Sequence, residues 1–221
     1  MEVINDNICF YDESLENCKD LENTYIIDFN SFKSIKHFLN SDKTRIRNII
    51  GKNCTKESLP ILKSAFISDR KKQIEYIYDY VCDDLDDKWE NCKPCKFCNN
   101  RCIASQNKAF NQEYLSCCYS FKRNLFGNVR KVPCKYLGKD KKCTTKNISC
   151  KLFTCDYLER HSNFSTSYED YKILKLFFNR KERLVIKYNF FRTREEVILK
   201  LLEVDHKPYL LYLFSLSFNI K

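Results

Sequence analysis

Ten of the fourteen cysteines in this chain fall between Cys92 and Cys155, and no other feature constrains the fold as strongly. The stretch opens with Cys92-Lys-Pro-Cys95-Lys-Phe-Cys98-Asn-Asn-Arg-Cys102, a C-x2-C-x2-C-x3-C run. Cys117 and Cys118 follow as a pair, and Cys134, Cys143, Cys150 and Cys155 close the segment. Two cysteines separated by two residues can wrap one turn around a metal, because the intervening backbone N–H groups then face the thiolate sulfurs. Cysteines used only as small core residues would be scattered along the chain. The spacing therefore predicts a metal-binding module, with all ten cysteines as candidate ligands.

The other chemistry open to many cysteines is a disulfide framework, which belongs to oxidising compartments and short secreted chains. The N-terminal Met-Glu-Val-Ile-Asn-Asp-Asn-Ile-Cys-Phe has no basic n-region and no apolar h-region. The expectation is a reduced, cytoplasmic protein. No apolar run approaches the roughly 20 residues that a bilayer span needs, so no membrane association is expected. Glycine is scarce, with three in the chain, and neither G-x-G-x-x-G nor G-x4-G-K-[ST] occurs, which argues against a Rossmann or P-loop nucleotide site.

Charge is concentrated in the same segment. Between Cys92 and Arg160 there are 15 Lys and Arg against four acids, a net +11 in a chain whose total is +10. Taken alone this points to nucleic acid or an acidic protein as partner. A local explanation competes: a tetrathiolate centre carries about −2, so two of them would absorb about four of these positive charges.

Either side of the segment, the pattern is helical. Ser31 can cap a helix with Phe32, Ile35, Phe38 and Leu39 on one face, and Ser41 a second carrying Ile46, Ile49 and Ile50 and closed by Gly51. Ser58, with Pro60 just inside, opens a longer helix through Leu62, Phe66, Ile74, Ile77, Tyr78 and Val81 to about Asp87. Tyr25 to Phe29 reads as a short strand or an extended lead-in, and Glu182 to Phe191 as strand or helix. Ser167 to Asp170 resembles a capping box opening a helix with Leu174 and Phe177; Thr193 to Glu196 is a full capping box ahead of Val197, Ile198 and Leu201. Pro208 onward reads as a final apolar helix.

The expected architecture is mainly α. Residues 1–91 and 161–221 form helical parts packed on one another, and the loop-rich, metal-stapled module 92–160 is inserted between them. Cys9, Cys18, Cys54 and Cys82 stand alone and read as small buried hydrophobes. The acidic run Asp83-Asp84-Leu85-Asp86-Asp87 lacks the glycine and terminal glutamate of an EF-hand loop and reads as a solvated helix end. His37, His161 and His206 are far apart and suggest no catalytic constellation.

The closing group, Cys134-Lys-Tyr-Leu-Gly-Lys-Asp-Lys-Lys-Cys143 through Cys150 to Cys155, resembles the second half of the CxxCxxCC family of zinc- or iron-chelating bacterial proteins. Cys134, Tyr136-Leu137, Cys143, Cys150 and Cys155 match its later group, and Cys92, Cys95, Cys98 and the Cys117-Cys118 pair correspond to the earlier one. The chain departs from the family where the double cysteine lies well beyond the C-x2-C run, and where Asn147-Ile148 replaces Arg-Pro. The resemblance implies metal chelation. Larger relatives include flagellin lysine methylases, but no methyl-donor site is recognisable here and that activity is not carried over.

The opening run also has the ligand spacing of bacterial ferredoxins, with Ile103 in place of the usual proline and no second near copy. All-thiolate donors suit zinc and iron–sulfur clusters alike, and the surplus of cysteines tilts the expectation slightly to iron–sulfur. The leading expectation is a metal- or cluster-binding protein for metal handling or redox. A structural zinc module presenting a basic surface to nucleic acid, and an iron–sulfur modifying enzyme, are the alternatives.

Overall fold

Apolar and β-branched residues near the N-terminus build a sheet in a flank whose pattern reads mainly as helix, with only residues 25–29 suggesting a strand. The structure, a computed structural model, describes residues 2–5, 8–12, 23–93, 95–98, 101–103, 108–109, 112–113, 119–123 and 129–204. Helices account for about half of it, in line with the mainly α expectation. No described helix is long and apolar enough to cross a membrane. The chain divides into two compact units, Met1–Ile77 with Tyr171–Phe177, and Tyr78–Asp170 with Phe178–Lys221.

The first unit is built on a four-stranded sheet of β1 (Glu2–Asn5), β2 (Ile8–Asp12), β3 (Thr24–Asp28) and β4 (Asn48–Lys52). Its order is β1-β2-β4-β3, with β1 antiparallel to β2 and the other pairs parallel. Helix α1 (Phe32–Asn40) makes the crossover between β3 and β4. As expected, Ser31 caps it, accepting the Ser34 N–H at 3.2 Å, while Ile35 and Phe38 face the core.

The helix expected from Ser41 to Gly51 is not formed; most of its apolar residues are in β4. Ile49 lies opposite Phe10 on one side and Tyr25 on the other, at the centre of the sheet, where a β-branched residue buried on both faces packs better than on a helix. Gly51 is therefore not a helix cap. A methyl group there would stand 2.5 Å from the Cys54 sulfur and 2.8 Å from the Phe10 ring, so glycine is required by close approach.

The long helix expected from Ser58 is two. Helix α2 (Ser58–Ala65) stops at Phe66, and α3 (Arg70–Cys92) restarts after Asp69, whose carboxylate accepts the Lys72 N–H at 2.7 Å. Ser58 is not the N-cap: its hydroxyl instead accepts the Thr55 N–H at 2.8 Å. Helix α6 (Lys172–Phe177) belongs to this unit, held there by Glu57, whose carboxylate accepts the N–H groups of Lys172 at 2.9 Å and Ile173 at 3.4 Å.

The second unit carries the cysteine-rich stretch. Paired short strands come first: β5 (Phe97–Cys98) with β6 (Arg101–Cys102), β7 (Lys108–Ala109) with β8 (Gln112–Glu113), and β9 (Tyr119–Arg123) with β10 (Val129–Pro133), all antiparallel. Helices α4 (Ile148–Leu152) and α5 (Asp156–His161) follow. The Ser167–Asp170 pattern closes a 3-10 turn over Tyr168–Asp170 rather than opening a helix. The ambiguous 182–191 stretch resolves as α7 (Arg180–Tyr188), started by an Asn179/Glu182 capping box, and α8 (Arg194–Glu203) starts with the expected Thr193/Glu196 box. Helix α4 packs on α7, and α7 on α8. The expected final helix from Pro208 lies outside the described residues.

Candidate functional site

The cysteines separate by environment once the elements are in place. The two-residue hairpin of β5 and β6 pairs Phe97 with Cys102 and Cys98 with Arg101, closed by the Ile103 N–H on the Lys96 carbonyl at 3.0 Å. That hairpin puts Cys102 inward, 5% exposed, while Cys98 is exposed. Cys92 is exposed at the end of α3. Cys134 and Cys143 flank a tight loop in which the Leu137 N–H reaches the Cys134 carbonyl, the Gly138 N–H the Lys142 carbonyl, and Leu137 bridges Cys143. Cys155 is the residue before α5 and is 4% exposed; its carbonyl accepts from Leu158 and Glu159.

Cys102, Cys155 and Leu158 form one buried cluster, against which Trp89, Cys95, Phe97, Leu137, Phe153 and Tyr157 pack. Members of the opening run, Cys95 and Cys102, thus meet Cys155 of the closing group. Leu137 brings the loop between Cys134 and Cys143 to the same place. Trp89 packs against Phe164 with ring centroids 4.5 Å apart and the rings tilted at 57°, and this aromatic pair adds apolar surface beside the cluster.

Cys150 sits apart from that cluster in a polar surround. Its N–H donates to the Asn147 side chain at 3.0 Å, and its sulfur accepts the Phe191 N–H at 3.2 Å. Asn147 is buried and fully used: its amide also donates to the carbonyls of Asn189 at 2.8 Å and Arg192 at 3.0 Å. Ser149 accepts the Asn189 N–H at 3.1 Å, and Lys151, 5% exposed, pairs with Asp86. Burial lowers the Lys151 ammonium from the ordinary lysine range, while Cys82 and Asp83 nearby oppose that shift. These buried polar residues between the cysteines were not anticipated from the sequence. The signal available was Asn147, a good N-cap residue just ahead of an apolar position.

Lone cysteines behave differently from one another. Cys82 is buried on α3 as expected, and its thiol is pushed up to about 12 by burial, with Asp79 and Asp83 adding to the shift and Lys151 and Lys146 opposing it. Cys9 and Cys54 are only half-buried. Cys18, Cys117 and Cys118 lie outside the described residues. The acidic run lies within α3, not at its end as expected; Lys146 bridges Asp83 at 2.7 Å and Asp86 at 2.9 Å, and Lys88 pairs with Asp84 at 3.6 Å.

Among the described residues, no three His, Cys, Asp or Glu side chains converge closely enough to hold a metal ion. The arrangement shown is therefore a thiol-bearing apolar cluster and not an assembled ligand set. Compared with family models, with curated proteins and with solved structures, the chain matches none.

Proposed function

We propose that the segment from Cys92 to Cys155 binds zinc or an iron–sulfur cluster through cysteine thiolates, in metal handling or redox. The observation that supports this most directly is the shared cluster of Cys95, Cys102 and Cys155, which joins both ends of the cysteine-rich stretch around one point. Thiolates are soft donors that select zinc and iron–sulfur clusters over hard cations, and an apolar surround such as Trp89, Phe97 and Leu137 shields such a centre from water. In small metal modules the ion is bound as the chain folds, so the donors close around it instead of standing preformed. The resemblance of Cys134 to Cys155 to the CxxCxxCC proteins supports the same reading and extends to chelation, not to methyl transfer.

Anaerobic purification followed by zinc, iron and acid-labile sulfide analysis tests it. At least one metal per chain is expected, falling by half or more in Cys95→Ser/Cys155→Ser and in Cys134→Ser/Cys150→Ser. Unchanged stoichiometry in both double variants, or no metal in the parent protein, would sink the reading.

A further inference from the structure

A second feature of the cysteine-rich unit points to a different ligand. Between the end of α3 and α5 lies an open cleft of about 540 Å³, and none of the side chains lining it is acidic. Lys88, Lys93 and Lys96 stand on its walls with His161. Lys88 pairs with Asp84 at 3.6 Å, but among the described residues Lys93 and Lys96 have no acidic partner. A concave wall of one charge sign focuses potential and draws anions.

Aromatic surface accompanies the charge. Tyr157 also lines the cleft; it is half-buried, supported from beneath by the cluster around Cys102, and its ring lies 4.6 Å from that of His161. The exposed Asn163 and Ser165 add polar side chains at the rim. Free phosphate would make no use of the ring, and a fatty acid would find too many amines. A nucleotide uses both, since its phosphate meets lysine and its base has a flat face for stacking. The volume is within the usual range for small-molecule sites, about 300 to 1,000 Å³.

Lys93 lies just past the end of α3 and lines the cleft. It follows the last residue of α3 with φ of 43°, and its N–H bonds to the Trp89 carbonyl at 3.0 Å. That left-handed position favours glycine, and here it is occupied by a lysine whose side chain lines the cleft. We propose that this cleft binds a nucleotide unit, either a free nucleotide or one residue of a single strand, with Lys93 and Lys96 on the phosphate and Tyr157 under the base. The proposal needs neither a thiolate nor an ion, although Cys92, a candidate ligand, also lines the cleft.

Fluorescence anisotropy with a labelled oligothymidylate, and competition by adenosine monophosphate, test this on the full chain at low salt. Lys93→Gly should leave the melting temperature unchanged or raise it while weakening binding several-fold. Lys93→Gly/Lys96→Gln should lower the slope of log affinity against log salt by about 0.7, the value for one phosphate on a single strand, because both lysines meet the same phosphate. Tyr157→Leu keeps apolar contact with the cluster and should weaken binding by about five-fold or more without changing that slope. Competition by the mononucleotide identifies a free nucleotide as sufficient; oligonucleotide binding without such competition identifies a strand, and either supports the proposal. Absence of binding by both probes would overturn it. So would an equal loss of slope in Lys135→Gln/Lys139→Gln, whose lysines lie outside the cleft, since the effect would then be general surface charge.

Discussion

Trp89 donates its indole N–H to the main-chain carbonyl of Lys151 at 3.0 Å, across 62 positions of sequence. This bond fixes the end of α3 against α4, on the same residue whose ammonium pairs with Asp86 one turn earlier on α3. The cysteine cluster is thus anchored to a long helix by a polar contact as well as by apolar packing.

Replacing Trp89 by Phe should keep much of the ring contact with Phe164 and lose chiefly the hydrogen bond. Lys151's carbonyl retains the Thr166 hydroxyl at 3.3 Å, so the loss should be near the low end for a hydrogen bond, about 0.5 kcal/mol. Urea unfolding of the second unit would measure it, and a loss above about 3 kcal/mol would show that packing, not the bond, dominates.

Burial separates structural from ligand roles among the cysteines. In metal-free protein, Cys102→Ala should destabilise by about 1 kcal/mol because it truncates a side chain inside the cluster, whereas Cys92→Ala, on the surface, should stay within about 0.5 kcal/mol. With metal present both should lose bound ion. Equal stability of the two metal-free variants would contradict the placement of Cys102.

The buried thiol of Cys82 makes an alkaline prediction. Its folded value, about 12, lies above the ordinary 9.0, so the unfolded chain releases this proton first. Its contribution to stability is complete below pH 9 and is lost as pH rises toward 12, on the order of 2 to 4 kcal/mol in total. Cys82→Ala should flatten the stability curve over that interval under reducing conditions. A variant curve parallel to the parent's would show that Cys82 does not titrate there.

Glu57 provides the matching test in the first unit. Burial raises its carboxyl above the ordinary carboxylate range, against the pull of the Lys172 and Ile173 N–H groups. The neutral form is therefore favoured on folding, and stability from this group declines as pH rises through the folded value. Glu57→Gln should gain on the parent between about pH 4 and about pH 7, while Glu57→Ala should lose about 1 to 3 kcal/mol by stranding the two N–H groups that start α6. Chemical denaturation at several pH values distinguishes the two.

Local signals were the legible part of this sequence. Ser31 and Thr193 cap helices as expected because a hydroxyl facing an N–H three residues on is a property of a few adjacent residues. The strand at Asn48–Lys52 was not legible, since Ile46, Ile49 and Ile50 suit a helix face too; only the partners Phe10 and Tyr25, distant in sequence, decide for the sheet. The clustering of cysteines was plain in the sequence. That Cys102 and Cys155 are buried while Cys92, Cys98 and Cys143 are exposed depends on the hairpin register and on contacts across the unit, and spacing carries no record of either.

Trp89 is the only tryptophan in the chain, and it lies against the cluster that holds Cys95, Cys102 and Cys155. Its emission is thus a built-in optical reporter for that unit, silent about the sheet at the N-terminus. An iron–sulfur cluster, absorbing across the range in which tryptophan emits, would quench this light by energy transfer; a zinc ion, without such absorption, would leave it bright.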